Sequence, residues 1–370
     1  MINVMMIFGT RPEAIKFAPI IKELEKRKET NPIVCITAQH REMLDQILNE
    51  FNIKPNYDLN IMQQGQTLCQ ITAKILNGLN DTILDAKPDI ILVQGDTTTT
   101  FVSALAAYYN MIPIAHIEAG LRTYNKYAPY PEELNRQMVS VLADLNFAPT
   151  EISKNNLLKE GKNPDTIFVT GNTAIDALKL TIKKDKKDKN DKKIILLTTH
   201  RRENLGNSME NIFRAVKKIA EEFKDEVKII YPMHKNPIIR NIAKSILDNQ
   251  ENIELIEPLD VIDFHNLMNK SYLILTDSGG IQEEAPALNK PVLVLRDTTE
   301  RPEGIEAGTL KLVGTNEQII YFETKKLLKN KDAYDRMAKS INPYGDGLAS
   351  KRIVDTIIAR FENGKDKNEW

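Results

Sequence analysis

Much that would place this chain in a well-marked class is missing from it. Its 370 residues hold only two cysteines, Cys35 and Cys69, far apart and without metal-type spacing. Cys35 lies in the strand-like run IVCITA and reads as a small buried hydrophobe. So little cysteine, with no signal-peptide pattern, makes the cytoplasm the expected compartment. No apolar run approaches the ~18 residues of a membrane helix, so no membrane partner is expected. Neither sign of charge prevails: 50 Lys and Arg stand against 51 Asp and Glu, a net charge of -1. Nucleic-acid-binding surfaces usually carry a basic excess, which excludes that class of partner.

Familiar cofactor signatures are missing too. No G-x-G-x-x-G follows the first apolar run, which removes the usual dinucleotide fingerprint. Tyr231 with Lys235, and Tyr321 with Lys325, have the Y-x-x-x-K spacing of short-chain dehydrogenases, but without the glycines they read as chance. There is no P-loop, and no D-x-D pair to hold a metal against a nucleotide-sugar diphosphate. No cofactor and no metal are expected. What remains is an anion site made of arginines, lysine and helix amino termini.

What is present is a regular alternation. INVMMIF precedes the amphipathic PEAIKFAPIIKELEKR, DIILVQ precedes TTTTFVSALAAYY, and IPIAHIE, LNFAPT and TIFVTGN follow as strands. Near-continuous apolar strands separated by helices indicate a parallel sheet covered on both faces. The run KKDKKDKNDKK, residues 183–193, cannot bury a face and reads as a solvated linker. After it the alternation restarts with KIILLTT, VKIIYPM, NIELIEP, YLILTD and PVLVLRD. The expected fold is α/β, with two Rossmann-like doubly wound domains facing a central cleft. The first spans 1–182 and the second 194–348. A terminal amphipathic helix, 349–370, is expected to cross back to the first.

In open parallel sheets ligands bind beyond the carboxyl ends of the strands. The first strand ends in Arg11, Pro12 and then Lys16; DIILVQ ends in Asp96; IPIAHI ends in Glu118. IILLTT ends in His200 and Arg201, IIYPM in His234, and YLILT in Asp277, Ser278, Gly279 and Gly280. Helix capping alone does not require so many cationic and titratable groups at strand ends. Glu118, between apolar neighbours, is a poor place for an idle carboxylate, whereas His116 reads as a satisfied core histidine. Glu132 and Glu133 open a helix, where acids also complement its dipole. In TDSGGIQEEAP, amides at Ser278, Gly279 and Gly280 suit a phosphate, and Glu284 one turn on suits a ribose diol. Phosphate with ribose means a nucleotide.

With those residues assembled, the chain resembles the non-hydrolysing UDP-N-acetylglucosamine 2-epimerases, which have the GT-B fold. The likeness runs through FGTRPEAIK, TAQHREMLDQ, YDLNIM, GDTTTT, EAGLRT, PEELNRQ, TGNTAIDAL, HRREN, LTDSGGIQEEAP, RDTTERPE and NPYGDG, in that order. It implies interconversion of UDP-GlcNAc and UDP-ManNAc without nicotinamide or metal, in a homodimer. It assigns Arg11 and Lys16 to the diphosphate, and Asp96, Glu118, Glu132 and His200 to the catalytic group. Ser278, Gly279, Gly280, Glu284 and Arg301 become UDP contacts, and Phe264 lies near the uracil. Gln39, His40, Gln66, Arg201 and His234 fall where many bacterial relatives bind a second UDP-GlcNAc as activator. Which of Glu118 and Glu132 handles the C2 proton stays open. A GT-B glycosyltransferase and an inactive UDP-sugar sensor are the alternatives, and retention of all four acid/base residues argues against the sensor.

Overall fold

The computed structural model describes residues 1–38, 41–63, 65–183, 192–248, 250–299 and 301–362. The chain forms two compact units, residues 1–180 with 345–370 and residues 181–344. Most of the charged run at 183–193, namely 184–191, lies outside the described residues, as does 363–370 of the terminal segment.

The first unit carries seven strands: β1 (Ile2–Phe8), β2 (Thr30–Ile36), β3 (Tyr57–Asp58), β4 (Ile90–Gln94), β5 (Ile114–Ile117), β6 (Leu145–Ala148) and β7 (Ile167–Val169). They form one sheet in the order β3-β2-β1-β4-β5-β6-β7, every pair parallel. Helices cover both faces, so the central strands are largely apolar; Val4 to Phe8 are all fully buried. Each such large side chain contributes ~1.5–3 kcal/mol by leaving water. The helix Arg11–Leu24 starts where the Glu13 carboxylate turns back to accept from the Thr10 amide at 2.8 Å. Phe17 on that helix stacks on Phe8, centroids 5.3 Å apart. The last helix, Ala349–Glu362, belongs to this unit. Its amino end is held by buried Asp176, which accepts from the Ala349 amide (3.2 Å), the Ser350 amide (2.8 Å) and Ser350 Oγ (2.6 Å). Asp355 on the same helix pairs with Arg27 at 2.7 Å.

The second unit repeats the plan with β8 (Lys193–Thr198), β9 (Val227–Pro232), β10 (Ile253–Ile256), β11 (Leu273–Thr276), β12 (Val292–Val294) and β13 (Leu310–Leu312). Their order is β10-β9-β8-β11-β12-β13, again all parallel. The helix Asn207–Glu222 buries Met209, Ile212, Phe213, Val216 and Ile219, a helical period that lays one apolar face on the sheet.

In each unit the strand order reverses at one point, between β1 and β4 and between β8 and β11. Adjacent crossovers leave on opposite faces there, which opens a crevice at the carboxyl ends of the strands. The groups beyond those four strands are the ones such a crevice presents.

Among the described residues, no helix is long and apolar enough to cross a membrane.

Candidate active site

In the first unit the β1 and β4 turns are tied together by one buried carboxylate. Glu13 Oε2 accepts from the Gly9 amide (3.0 Å), the Thr10 amide (2.8 Å) and Thr10 Oγ1 (2.8 Å). Its Oε1 accepts from Thr97 Oγ1 (2.7 Å) and Thr100 Oγ1 (3.0 Å), in the turn that follows Asp96. Arg11, at the first position of its helix, is half-buried and its guanidinium has no partner among the described residues.

Glu118 follows β5 and is nearly buried, at 9% exposure. Lys16 Nζ lies 2.7 Å from both of its carboxylate oxygens. Gln94 Nε2 donates to Oε2, and Asn172 Nδ2 donates to Oε1 at 3.3 Å. Lys16, expected at a diphosphate, is thus engaged by a carboxylate here. The Glu118 backbone sits at φ +64, a left-handed conformation that is uncommon for a residue with a side chain. Two residues on, Gly120 has φ +88, and a Cβ there would fall 2.1 Å from the Ser153 carbonyl oxygen. Only glycine fits that close approach.

Asp96 pairs with Arg136, and its carbonyl accepts from Asn135 Nδ2 at 3.0 Å. Both partners stand on the helix Glu132–Leu142, whose first residue is Glu132. Glu132 is half-buried and its carboxylate has no partner among the described residues. Its neighbour Glu133 is fully buried and accepts from the Thr123 amide (3.0 Å), the Tyr124 amide (3.0 Å) and Gln137 Nε2 (2.8 Å). Glu133 therefore anchors the loop after Glu118, beyond any service to the helix dipole.

His116, on β5, is fully buried, with Nε2 2.7 Å from the Gly95 carbonyl. A carbonyl only accepts, so Nε2 carries the hydrogen. The expectation of a satisfied histidine holds for that nitrogen alone, because Nδ1 has no hydrogen-bond partner among the described residues. Burial pushes its pKa down to about 4. Cys35 is buried as expected, and burial first, then Asp58, pushes its thiol up to about 12.

In the second unit the β8 and β11 turns meet on Asp277, which has no exposed surface. Its Oδ2 accepts from Thr199 Oγ1 (3.0 Å), the His200 amide (2.9 Å), the Arg201 amide (2.9 Å) and Asn204 Nδ2 (3.1 Å). Its Oδ1 lies 3.1 Å from His200 Nδ1. Burial works to raise this carboxyl's pKa, but His200 and the amides outweigh it and hold the group below the usual range. The His200 ring stacks on His234, with centroids 5.9 Å apart.

Ser278 stands at the N-cap of the helix Gly279–Ala287 without a side-chain capping hydrogen bond, so the first amides of that helix are open to an anion. A Cβ built on Gly279 would lie 3.7 Å from Arg201 Nη2 and 3.8 Å from Arg301 Nη2, so two guanidiniums line the approach to those amides. Arg301 also pairs with Glu283. Glu284 Oε2 lies 3.7 Å from Nε2 of buried His265, whose Nδ1 is 2.8 Å from Thr181 Oγ1. Phe264 precedes that histidine and is half-buried. Pro286 stands in the last turn of the helix, where it lacks the amide that would donate to the Gln282 carbonyl.

Of the residues expected at a second sugar-nucleotide site, Gln39 and His40 lie outside the described residues. Gln66 is satisfied inside its own turn, accepting from the Gln63 amide at 2.8 Å and donating to the Ile61 carbonyl at 3.0 Å. Arg201 and His234 stand beside Gly279 and His200 as described. Among the described residues, no group of three or more His, Cys, Asp and Glu is arranged to hold a metal ion.

Sequence reasoning overlooked Glu13, Gln94 and Arg136 as site residues. Asn172 lay within the quoted TGNTAIDAL without a role. Glu13, Gln94 and Asn172 are detectable only as polar residues at or near strand ends, and Arg136, inside the helix Glu132–Leu142, carries no such signal.

Known proteins resemble this chain over nearly its whole length. The family model for UDP-N-acetylglucosamine 2-epimerase matches residues 22–358. The Bacillus subtilis UDP-N-acetylglucosamine 2-epimerase is 57% identical over 371 residues, covering 99% of this chain and 97% of that protein. The crystal structure of the Neisseria meningitidis UDP-GlcNAc 2-epimerase bound to UDP-GlcNAc is 50% identical, with TM-score 0.84, over 97% of this chain and 100% of that one. The Methanocaldococcus jannaschii enzyme in complex with UDP-GlcNAc and UDP is 37% identical, with TM-score 0.76, over 97% and 100%. The glycotransferase of kitacinnamycin is 9% identical, with TM-score 0.67 over 97% and 98%, a likeness of fold alone, the GT-B fold. By its two Rossmann-like sheets and by similarity along its whole length, the chain belongs to the UDP-N-acetylglucosamine 2-epimerase family.

Proposed function

We propose that this chain reversibly epimerises UDP-N-acetylglucosamine at C2 to UDP-N-acetylmannosamine, as a non-hydrolysing isomerase of the cytoplasm. Full-length similarity to enzymes of that name supports the activity. The observation that carries the chemistry is Glu118, a nearly buried carboxylate on strained backbone, held by Lys16 beyond β5.

The C2 proton of the sugar is not adjacent to a carbonyl, so a carboxylate cannot remove it directly. Breaking the C1–O bond first leaves oxocarbenium character at C1, which acidifies that proton. Departing UDP takes the bonding electron pair; the Gly279 and Gly280 amides with Arg201 and Arg301 stabilise its charge. A carboxylate then accepts the C2 proton and leaves a 2-acetamidoglucal. UDP re-adds at C1 while an acid protonates C2 from the opposite face. Glu118 and Glu132 are the candidates for the two proton steps. Asp96, paired with Arg136, supports them, and His200 assists at the phosphate or sugar. Glu284 takes the ribose, Phe264 lies by the uracil, and Arg11 faces the diphosphate. Lys16 acts first as the counter-ion of Glu118.

Incubation with UDP-GlcNAc alone is the test. UDP-ManNAc forming without an acceptor supports epimerisation, whereas free ManNAc or no reaction sinks it. In deuterium oxide the product should carry deuterium at C2. Retention of the original hydrogen would eliminate the glucal route. A sigmoidal dependence on UDP-GlcNAc would support the second site. A homodimer is part of the proposal: Tyr108, Tyr109, Met111, Leu134, Met138 and Val141 are exposed on and beside two helices that pack together. Sedimentation of a monomer at assay concentration would remove it.

A further inference from the structure

We propose that Asp277 is a positioning residue for His200, fixing the imidazole as its Nδ1–H tautomer so that Nε2 is the nitrogen presented to the phosphate or sugar. The inference rests on the reading of His200 as part of the acid/base group.

The geometry determines the tautomer by elimination of acceptors. Oδ1 of Asp277 lies 3.1 Å from His200 Nδ1. An ionised carboxylate can only accept, so the ring nitrogen facing it must carry hydrogen, and in the neutral ring Nε2 is then bare. The carboxylate cannot turn away, because Oδ2 is occupied by Thr199 Oγ1, two successive amides and Asn204 Nδ2. Those donors are themselves fixed. Asn204 also donates to the Leu295 carbonyl at 3.1 Å, and the Thr199 carbonyl accepts from Tyr231 at 3.1 Å. The His234 ring stacks on the imidazole and limits its tilt. Asp277 is also the residue immediately before the Ser278-Gly279 turn, so one side chain sets the imidazole against the anion-binding amides.

This arrangement makes the isosteric variant informative. In Asp277→Asn the single amide oxygen belongs on the side of the four donors, and the NH2 group then faces Nδ1. A donor facing Nδ1 requires it to accept, so the hydrogen moves to Nε2. The packing is kept while the bare nitrogen is exchanged, as in other carboxylate–histidine pairs where loss of the charge gives the wrong tautomer.

The test is 15N NMR of histidine-labelled wild-type protein at about pH 8.5, where an ordinary imidazole is neutral. A protonated Nδ1 and a bare Nε2 for His200 are expected; a predominant Nε2–H form overturns the proposal without need of any variant. Asp277→Asn should then show the opposite tautomer and lose about 100-fold in kcat, with KM and UDP affinity within about threefold. In a His200→Gln background the same change should cost less than about threefold. A full second loss there means that Asp277 does not act through His200, and overturns it. Wild-type turnover by His200→Gln would instead remove His200 from the chemistry and with it the catalytic part of the inference, while the NMR result still decides the tautomer.

Discussion

His116 permits a quantitative prediction about acid. Its Nε2 is spent on the Gly95 carbonyl, in the turn that carries Asp96, and its Nδ1 has no hydrogen-bond partner among the described residues. A second proton would therefore place an unsolvated charge inside the sheet. Burial is the largest influence and lowers the pKa from 6.5 to about 4; the Gly95 hydrogen bond and Glu118 oppose it, and Arg122 adds to it. The folded pKa is depressed, so between about pH 6.5 and 4 the unfolded chain binds more protons than the native one. The stabilisation is present above the unfolded pKa and is lost as pH falls through the folded value. The fall from 6.5 to about 4, at ~1.4 kcal/mol per tenfold change, amounts to about 3.5 kcal/mol. His116→Gln keeps a donor for the Gly95 carbonyl but has nothing to titrate. Hydrogen exchange of β4 and β5 amides, corrected for intrinsic rates, should show wild-type protection falling ~100-fold more than that of the variant between about pH 6.5 and 4. Curves that stay parallel would refute a neutral, burial-depressed His116.

Other expectations are more local. Glu118→Gln should cut turnover by ~10²–10⁴ while calorimetry shows UDP affinity changed less than about threefold; near-normal turnover would exclude Glu118 from the proton steps. Gly279→Ala meets no clash, but its methyl group would stand 3.7–3.8 Å from two guanidiniums. UDP affinity should fall about tenfold with little change in melting temperature, and unchanged affinity would move the anion elsewhere. Asp176→Ala removes three hydrogen bonds from the start of the last helix. Exchange protection over residues 349–362 should drop by about 2 kcal/mol, and unaltered protection would show that the cap is dispensable.

The two sheets were legible because buried parallel strands must be continuously apolar, as in β1 and β8. The candidate site was legible in part because polar residues at strand ends stand out against such runs. The connections were not legible. Nothing in FGTRPEAIK announces that Glu13 reaches Thr97 and Thr100, since that contact depends on β1 and β4 being neighbours at the reversal of strand order. Glu283 pairs with Arg301, eighteen positions along, a contact that no local pattern specifies. The motif around Lys16 suits a phosphate ligand, and a one-dimensional pattern cannot show that the side chain also meets Glu118, 102 residues away. The two-residue β3 carries too little hydrophobic pattern to be read as a strand at all.

The assignment of residues 345–370 to the first unit has a consequence for biosynthesis. All six strands of the second unit are complete by Leu312, whereas the first unit has seven strands by Val169 but lacks the helix that Asp176 and Arg27 hold. On the ribosome, where domains fold as units as they emerge, the half made first therefore waits for the half made second. Until the last helix docks, the side chains that will meet Ile353, Val354 and Ile357 face water. Premature termination shortly before residue 349 would thus leave the Glu118 half, and not the half just synthesised, as the one exposed to proteolysis and aggregation.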